Sequence, residues 1–417
     1  MVEEPEPLPL AASAIQYLKP ETIVIGLSGP LSSGCSTVAK YLSKKHKFQL
    51  VRLSDIIRQG FTNPTAKDLQ DKGDELRKKN GAATLVEMAF RKLLKDAPEK
   101  IVIDGIRNPG EIKYLRRFSN FFLIGLDASR QERLRRYRIK TGENISDRAF
   151  FEIDERDSGK GQPAYGQDVT RCIDLADFQI INNESWDSDL NVQDLLFKKA
   201  DVLLSLIEEP GSKRPSIREI GMHIAYSASL MSPCLKRQVG ATVTRAIENT
   251  EEELAVAVGY NRPPEGVPNC YSRFRECYRD SLKTKLQDKI KSEAKELKAE
   301  RATELANIFL AYPEIKRLDY CQSIHAEESA ILQVAKLGGT SLNGTNLYST
   351  TFPCLLCAKV IIQTGISKII YNEAYPIEEA WDLLAKRLGE KNLIRFEGVK
   401  SLAFFKLFQQ NENGKRG

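Results

Sequence analysis

The sequence predicts an α/β protein of two domains: a doubly wound parallel sheet first, then an α-β-α domain with a mixed sheet. Three observations carry this. Strand-like and helix-like segments alternate through residues 21–208, the pattern of a parallel sheet covered by helices. Glu209-Pro-Gly-Ser-Lys-Arg-Pro215 is rich in turn formers and reads as a linker over 209–215. Residues 216–417 then open with a helix and two consecutive strands, before strands and helices alternate again. A length of 417 residues suits two domains of ordinary size.

Residues 1–20 are acidic and proline-rich and read as a loose lead-in. In the first domain, the apolar runs Thr22–Ser28, Phe48–Leu53, Ile101–Asp104, Phe121–Asp127 and Phe178–Asn182 are the expected strands. Helical periodicity lies between them, as in Thr84–Leu94, and a further helix near Leu190–Leu206 closes the domain. In the second domain the expected strands are Gln238–Arg245, Leu254–Tyr260, Leu347–Thr350 and Lys368–Tyr371. Residues 279–311 read as one long charged helix inserted between them. Leu282, Leu286, Ile290, Leu297, Leu305 and Ile308 form its apolar stripe. An antiparallel arm or surface insertion is the plain reading; a subunit contact or active-site cover is the sharper one. Pro353 and Gly365 bracket a helix over 354–364, proline suiting the first turn and glycine the C-terminal cap.

Composition narrows the function classes. Hydrophobic residues make up 41% and charged residues 28%, as in a water-soluble globular chain. No apolar run reaches the length of a membrane span. The start MVEEPEPLPL lacks the basic end and apolar core of a secretory leader. The eight cysteines are therefore expected reduced in a cytoplasm, where metal binding is commoner than disulfides. The net charge of +6 is mild and its charges interleave, which suits an anionic small molecule better than a nucleic-acid groove.

The chemistry concentrates in His325-Ala326-Glu327 and Pro353-Cys354-Leu355-Leu356-Cys357. One imidazole and two thiolates leave a tetrahedral Zn²⁺ with one open position, where a water ionises near neutral pH. His325, Cys354 and Cys357 are the candidate ligands. Glu327 is the carboxylate left over, free to move protons. Taken apart, a Cys-x-x-Cys pair fits a redox site or half a structural zinc site. The pairing with His-x-Glu resembles the signature of the zinc-dependent nucleobase deaminases. Four further cysteines, Cys234, Cys270, Cys277 and Cys321, lie in the same half and are the expected ligands of a second zinc. The plain alternative is four free cysteines packed as small hydrophobes.

In the first domain, Gly29-Pro-Leu-Ser-Ser-Gly34-Cys35-Ser36-Thr37 follows a strand and opens a helix, the setting of a phosphate-binding P-loop. Gly29 and Gly34 let backbone N–H groups turn toward phosphate oxygens. Ser36 would hold Mg²⁺ beside Asp104, with a nucleoside triphosphate as ligand. Cys35 stands where the motif carries its lysine, so phosphate cradling is expected and phosphoryl transfer is not. Arg130, Arg133, Arg135, Arg136 and Arg138 would add phosphate contacts, or form a solvated helix face.

Two family resemblances follow. Asp104-Gly-Ile-Arg107, Asn108-Pro-Gly-Glu111 and Gly166-Gln-Asp-Val-Thr-Arg-Cys172 make the first half similar to deoxynucleoside monophosphate kinases. Arg237-Gln-Val-Gly-Ala241, Gly259-Tyr-Asn261 and Ser349-Thr-Thr-Phe-Pro353 make the second resemble deoxycytidylate deaminases, a cytidine-deaminase-like fold. That resemblance implies that Asn261 contacts sugar and base and that Arg237 lies near the phosphate. Arg262-Pro-Pro replaces the family's Gly-x-Pro after the asparagine. Joined in this order, the halves resemble the bacterial anti-phage deoxycytidine nucleotide deaminases. The resemblance implies conversion of dCTP and dCMP to uracil nucleotides, a regulatory P-loop domain, a small RNA or phage factor as trigger, and a homo-oligomer. Two rivals are a housekeeping dCMP deaminase fused to a nucleotide kinase and a deaminase editing RNA or single-stranded DNA. The missing P-loop lysine weighs against the first. The lack of aromatics interleaved with basic residues weighs against the second.

Overall fold

The computed structural model describes residues 19–93, 98–142, 145–184, 190–293, 299–311, 321–374 and 378–409. Nearly all of the expected lead-in, and Leu297 of the expected stripe, lie outside the described residues. The chain divides into two units, one running to Arg214 and resuming at Glu397, the other Pro215–Phe396. The strands are β1 Ile23–Ser28, β2 Gln49–Arg52, β3 Lys100–Asp104, β4 Phe121–Asp127, β5 Phe178–Ile181, β6 Gly240–Ala246, β7 Glu253–Tyr260, β8 Asn346–Thr351, β9 Lys368–Glu373, β10 Leu393–Arg395 and β11 Gly398–Val399.

In the first unit β2, β3, β1, β4 and β5 lie side by side, all parallel, with β11 antiparallel on the outer edge of β5. Successive residues of β1 feed opposite cores. Val24 packs with Leu85, Phe90 and Ile101, whereas Ile25 packs with Val38, Leu42 and Leu203. Strands covered on both faces must be apolar throughout, which is why these runs do not alternate with polar residues. β1 sits between β3 and β4, so the loop after it opens at the carboxyl end of the sheet, where such folds bind ligands.

The second unit has the sheet order β10-β9-β8-β6-β7. β6 runs antiparallel to β7 and β8, while β8, β9 and β10 are parallel. Tyr348 and Ile370 join Met222 and Ala225 of helix Ile217–Ser229. Their neighbours Leu347 and Ile369 instead join Ala330 and Ile331 of helix Ala326–Leu337 and Ile361 of helix Leu355–Thr364. This period of two makes the α-β-α layering.

Two expectations need correction. Residues 216–417 do not form a single unit: from Glu397 onward the chain belongs to the first. β5 would otherwise be an exposed sheet edge with unpaired backbone groups, and Val399 pairs there with Phe178. Helix Ser401–Phe408 then buries Ala403, Leu407 and Phe408 in the first unit's core. Lys400, 3% exposed, donates its Nζ to the carbonyls of Ile173 and Asp174, both at 2.9 Å. Nor is 279–311 one long helix. Helices Tyr278–Glu293 and Ala299–Ala311 pack on each other, with Gln287 Nε2 donating to Asn307 Oδ1 at 3.0 Å. Leu282, Leu286 and Ile290 of the stripe are half-buried, whereas Leu305 and Ile308 remain exposed.

Leu407 is fully buried and Leu402 is 64% exposed on the same helix. Leu407→Ala is expected to destabilise the first unit by about 2–5 kcal/mol through the cavity it leaves. Leu402→Ala should change stability by no more than about 0.5 kcal/mol. Urea unfolding, with hydrogen exchange separating the two units, measures both.

Candidate active site

Three side chains from two helix starts converge. His325 is the N-cap of helix Ala326–Leu337 and Cys354 the N-cap of helix Leu355–Thr364; both take extended backbone angles. An N-cap side chain projects past the end of its helix, so the two can meet. His325 Nδ1 lies 3.3 Å from Cys354 Sγ and 3.3 Å from Cys357 Sγ. All three ligand atoms lie within 4.8 Å of one another. Zinc bonds of about 2.0–2.3 Å to nitrogen and sulfur span such separations. The donor set, one imidazole and two buried cysteines, is of the kind zinc prefers. The hydrogen bond from Cys357, then the imidazole of His325, draw Cys354 down to about 4 against its burial. Cys357, the donor, moves upward. Zinc takes both sulfurs as thiolates and the imidazole as a neutral ring, so its binding is linked to proton release.

Glu327 follows one residue into the first turn and is 4% exposed. Ser349 Oγ on β8 donates to its Oε1 at 3.0 Å, and Cys357 Sγ lies 3.5 Å from Oε2. Burial raises its pKa, with His325 and Ser349 opposing. Gly259 on β7 sets the height of this helix. A Cβ there would come within 2.3 Å of Ala326 O and Ala330 N, so the helix can sit this close only against a glycine.

Asn261 directly follows β7 and is buried. Its Oδ1 accepts from Ser232 Oγ at 2.7 Å and Val239 N at 2.8 Å, and its Nδ2 donates to Arg237 O at 2.9 Å. Arg262 forms a backbone bridge with Ile324, tying this loop to the residue before His325. Arg237 pairs with Glu373, which also accepts from Thr351 Oγ1 at 3.2 Å. One cavity, about 680 Å³ with its open mouth included, is lined by His325, Glu327, Cys354, Asn261 and Arg237.

In the first unit the loop after β1 enters helix Cys35–His46. Gly34 at its N-cap has a φ of 118°. Gly29 has no space for a side chain, since a Cβ would lie 2.4 Å from Leu126 O. Ser36 Oγ donates to Asp104 Oδ2 at 2.7 Å, the pair expected at a magnesium site. Thr37 N donates to Gly34 O at 3.0 Å within the first turn. Burial, and then the charge of Asp104, push the Cys35 thiol up to about 12. Arg107 is close enough to act on both Cys35 and Asp104, and it pairs with Asp157.

The family profile of the cytidine and deoxycytidylate deaminase zinc-binding region matches residues 215–373, and that of an AAA domain matches 25–156. The deoxycytidylate deaminase of Schizosaccharomyces pombe is 28% identical over 371 residues, which cover 88% of this chain and 95% of that protein. A crystal structure of dCMP deaminase from the cyanophage S-TIM5, in complex with dCMP and dUMP, is 25% identical. It covers 44% of this chain and 98% of its own, with a TM-score of 0.27. The deoxycytidylate deaminase of Enterobacteria phage T2 is 31% identical over 172 residues, 40% of this chain and 86% of that protein. This chain belongs to the deoxycytidylate deaminase family.

In this member of the deoxycytidylate deaminase family, a P-loop unit precedes the zinc-binding domain. Among the described residues, His325, Cys354 and Cys357 are the only group of three or more side chains that could hold a metal. Cys270 opens the short helix Cys270–Phe274, and Cys277 follows the left-handed turn at Arg275. Cys234 and Cys321 line the same cavity as His325 and Glu327. All eight cysteines are free. The arginines of the 130–138 cluster are engaged by partners of the first unit. Arg133 pairs with Asp154 in the interior, Arg135 with Glu132 and Arg138 with Asp147, while Arg136 donates to the carbonyls of Asn182 and Glu184. Ser232, which holds Asn261, carries no sequence signal, because a lone serine in a turn is unremarkable; Ser349 stands in the Ser349–Pro353 run, but its bond to Glu327 has no local signature. Lys236 and Arg279, which also line the cavity, were hidden among many interleaved charges.

An ordinary cysteine has a pKa of 9.0, and Cys35 is raised to about 12. Below pH 9 its thiolate fraction is then roughly a thousandfold lower than that of an unperturbed thiol. Iodoacetamide at pH 8 should leave Cys35 unlabelled in the native protein and label it after unfolding, as peptide mass spectrometry can read.

Proposed function

We propose that this chain is a zinc-dependent hydrolase that deaminates deoxycytidine nucleotides, dCMP and dCTP, to the uracil nucleotides. The observation that carries the reading is the convergence of His325, Cys354 and Cys357 beside a buried glutamate that is not in the ligand group. Those three residues hold the zinc. When bound, the metal supplies a Lewis acid that makes water nucleophilic at neutral pH. Glu327 takes a proton from the water that adds to C4 of cytosine. It delivers that proton to the ring nitrogen and then moves the proton of the new C4 hydroxyl to the amine, which leaves as ammonia while the C4 carbonyl forms. Ser349 holds Oε1, which keeps Oε2 toward the cysteine side of the site. Burial raises the carboxyl's affinity for a proton and so eases its capture. Asn261, fixed by Ser232 and the backbone of Val239, borders the sugar, and Arg237 the phosphate side.

The P-loop unit binds a nucleoside triphosphate with Mg²⁺ and gates the deaminase without transferring phosphate. The Ser36–Asp104 pair and the cradle from Gly29 to Thr37 support binding. The neutral thiol at Cys35 supports the lack of transfer, because phosphoryl transfer rests on positive charge at that place. The order of the two units resembles that of the bacterial anti-phage deoxycytidine nucleotide deaminases. It supports a role in draining the deoxycytidine nucleotide pool during phage infection. In that role the protein is a cytoplasmic homo-oligomer released by a phage factor or from a small RNA. Among the described residues no helix is long and apolar enough to cross a membrane.

Glu327→Ala should keep its zinc and lose deamination by roughly 10²–10⁴-fold, the usual worth of a general acid–base. His325→Ala and Cys354→Ala should lose metal and activity together. Metal analysis beside turnover of dCMP and dCTP tests this, and equal zinc loss in all three variants would refute the division of roles. In equilibrium binding, ATP should associate with the wild type through the P-loop. A radiolabel assay should find no transfer of its γ-phosphate to dCMP or dGMP, and robust transfer would overturn the regulatory assignment.

A further inference from the structure

The inserted helix pair reaches the catalytic cavity. Arg279 is the second residue of helix Tyr278–Glu293, and it lines the same cavity as His325, Glu327, Cys354 and Asn261. Its neighbour Asp280 pairs with Lys236 at 2.5 Å, which pins the first turn of the insertion to the segment leading into β6. Lys236 and Arg237 line the cavity as well. The three cations differ in what holds them. Arg237 is engaged by Glu373 and Lys236 by Asp280. Arg279 is half-buried, and among the described residues it has no hydrogen-bond or ion-pair partner. A guanidinium set in the wall of a cavity without a partner suits an anion that arrives with the ligand, and its planar fork matches phosphate oxygens in pairs.

We propose that Arg279 is a specificity-determining residue that binds the 5′-phosphate of the nucleotide, with Lys236 beside it. This rests on the deaminase reading given above. The zinc ligands and Glu327 take the base at one part of the cavity, Asn261 stands at the sugar, and Arg279 and Lys236 take the phosphate. The insertion is then part of the substrate site and not an appendage. A phosphate dianion competes with Asp280 for Lys236, so substrate binding loosens the ion pair that pins the insertion.

Steady-state kinetics on the zinc-loaded full chain test this with dCMP as substrate and inorganic phosphate as competitor. Arg279→Ala should raise KM for dCMP by roughly 10–100-fold, the worth of a charge-assisted hydrogen bond, with kcat changed much less. Arg279→Lys should recover part of the loss, since it keeps the charge but not the fork. Phosphate should compete with dCMP in the wild type and lose that effect in Arg279→Ala. An unchanged KM in both variants, a loss confined to kcat, or equal phosphate inhibition of wild type and Arg279→Ala would overturn the assignment while leaving the deaminase reading intact. A wild-type protein that turns over no deoxycytidine nucleotide would overturn the deaminase reading itself.

Discussion

The metal centre depends on two helices starting at the same point. His325 and Cys354 are both N-cap residues, and only there does a side chain project beyond its own helix. The same ends carry unsatisfied backbone N–H groups and positive potential, which favour thiolate over thiol. One start is placed by β8, which runs into Pro353 and Cys354. The other is placed by the close approach of helix Ala326–Leu337 to Gly259, where no side chain would fit. Glu327, Ser349 and the bridge from Arg262 to Ile324 follow from that placement.

The first unit separates the geometry of a phosphate loop from its charge. The left-handed turn at Gly34, the crowding at Gly29 and the Ser36–Asp104 pair keep the shape of a nucleotide cradle. The residue that would bring positive charge to the transferred phosphoryl is instead a cysteine held neutral by burial and by Asp104. Arg107 sits near enough to act on the loop, but its guanidinium is committed to Asp157. Such a site retains the directional part of phosphate recognition, which backbone amides supply, and loses the electrostatic part that lowers a transfer barrier.

The catalytic cavity distributes its work over elements far apart in the chain. The zinc ligands and Glu327 come from residues 325–357, the Asn261 clamp from the residue after β7 and from Ser232, and Arg279 from the insertion. Phosphate recognition by the insertion would let the same core chemistry serve different nucleotides, because the insertion can vary without disturbing the helix starts that hold the metal.

Much of this was legible in the sequence, for physical reasons that can be named. Strands of the first unit are buried on both faces and so appear as unbroken apolar runs, and proline and glycine mark the ends of helix Leu355–Thr364. His-x-Glu and Pro-Cys-x-x-Cys are legible because metal ligands tolerate few residue types and the local backbone sets their spacing. The tertiary structure alone decided what depends on meetings between distant segments. A two-residue strand, β11, carries no periodicity, so the return of residues 397–408 to the first unit was decided by the open edge of β5. The packing of the insertion's two helices on each other, the meeting of Cys234 and Cys321 at one cavity, and the placing of Arg279 in the cavity wall belong to the same class. Residue type and local spacing fix which chemistry a segment can perform; only packing fixes which segments share a cavity.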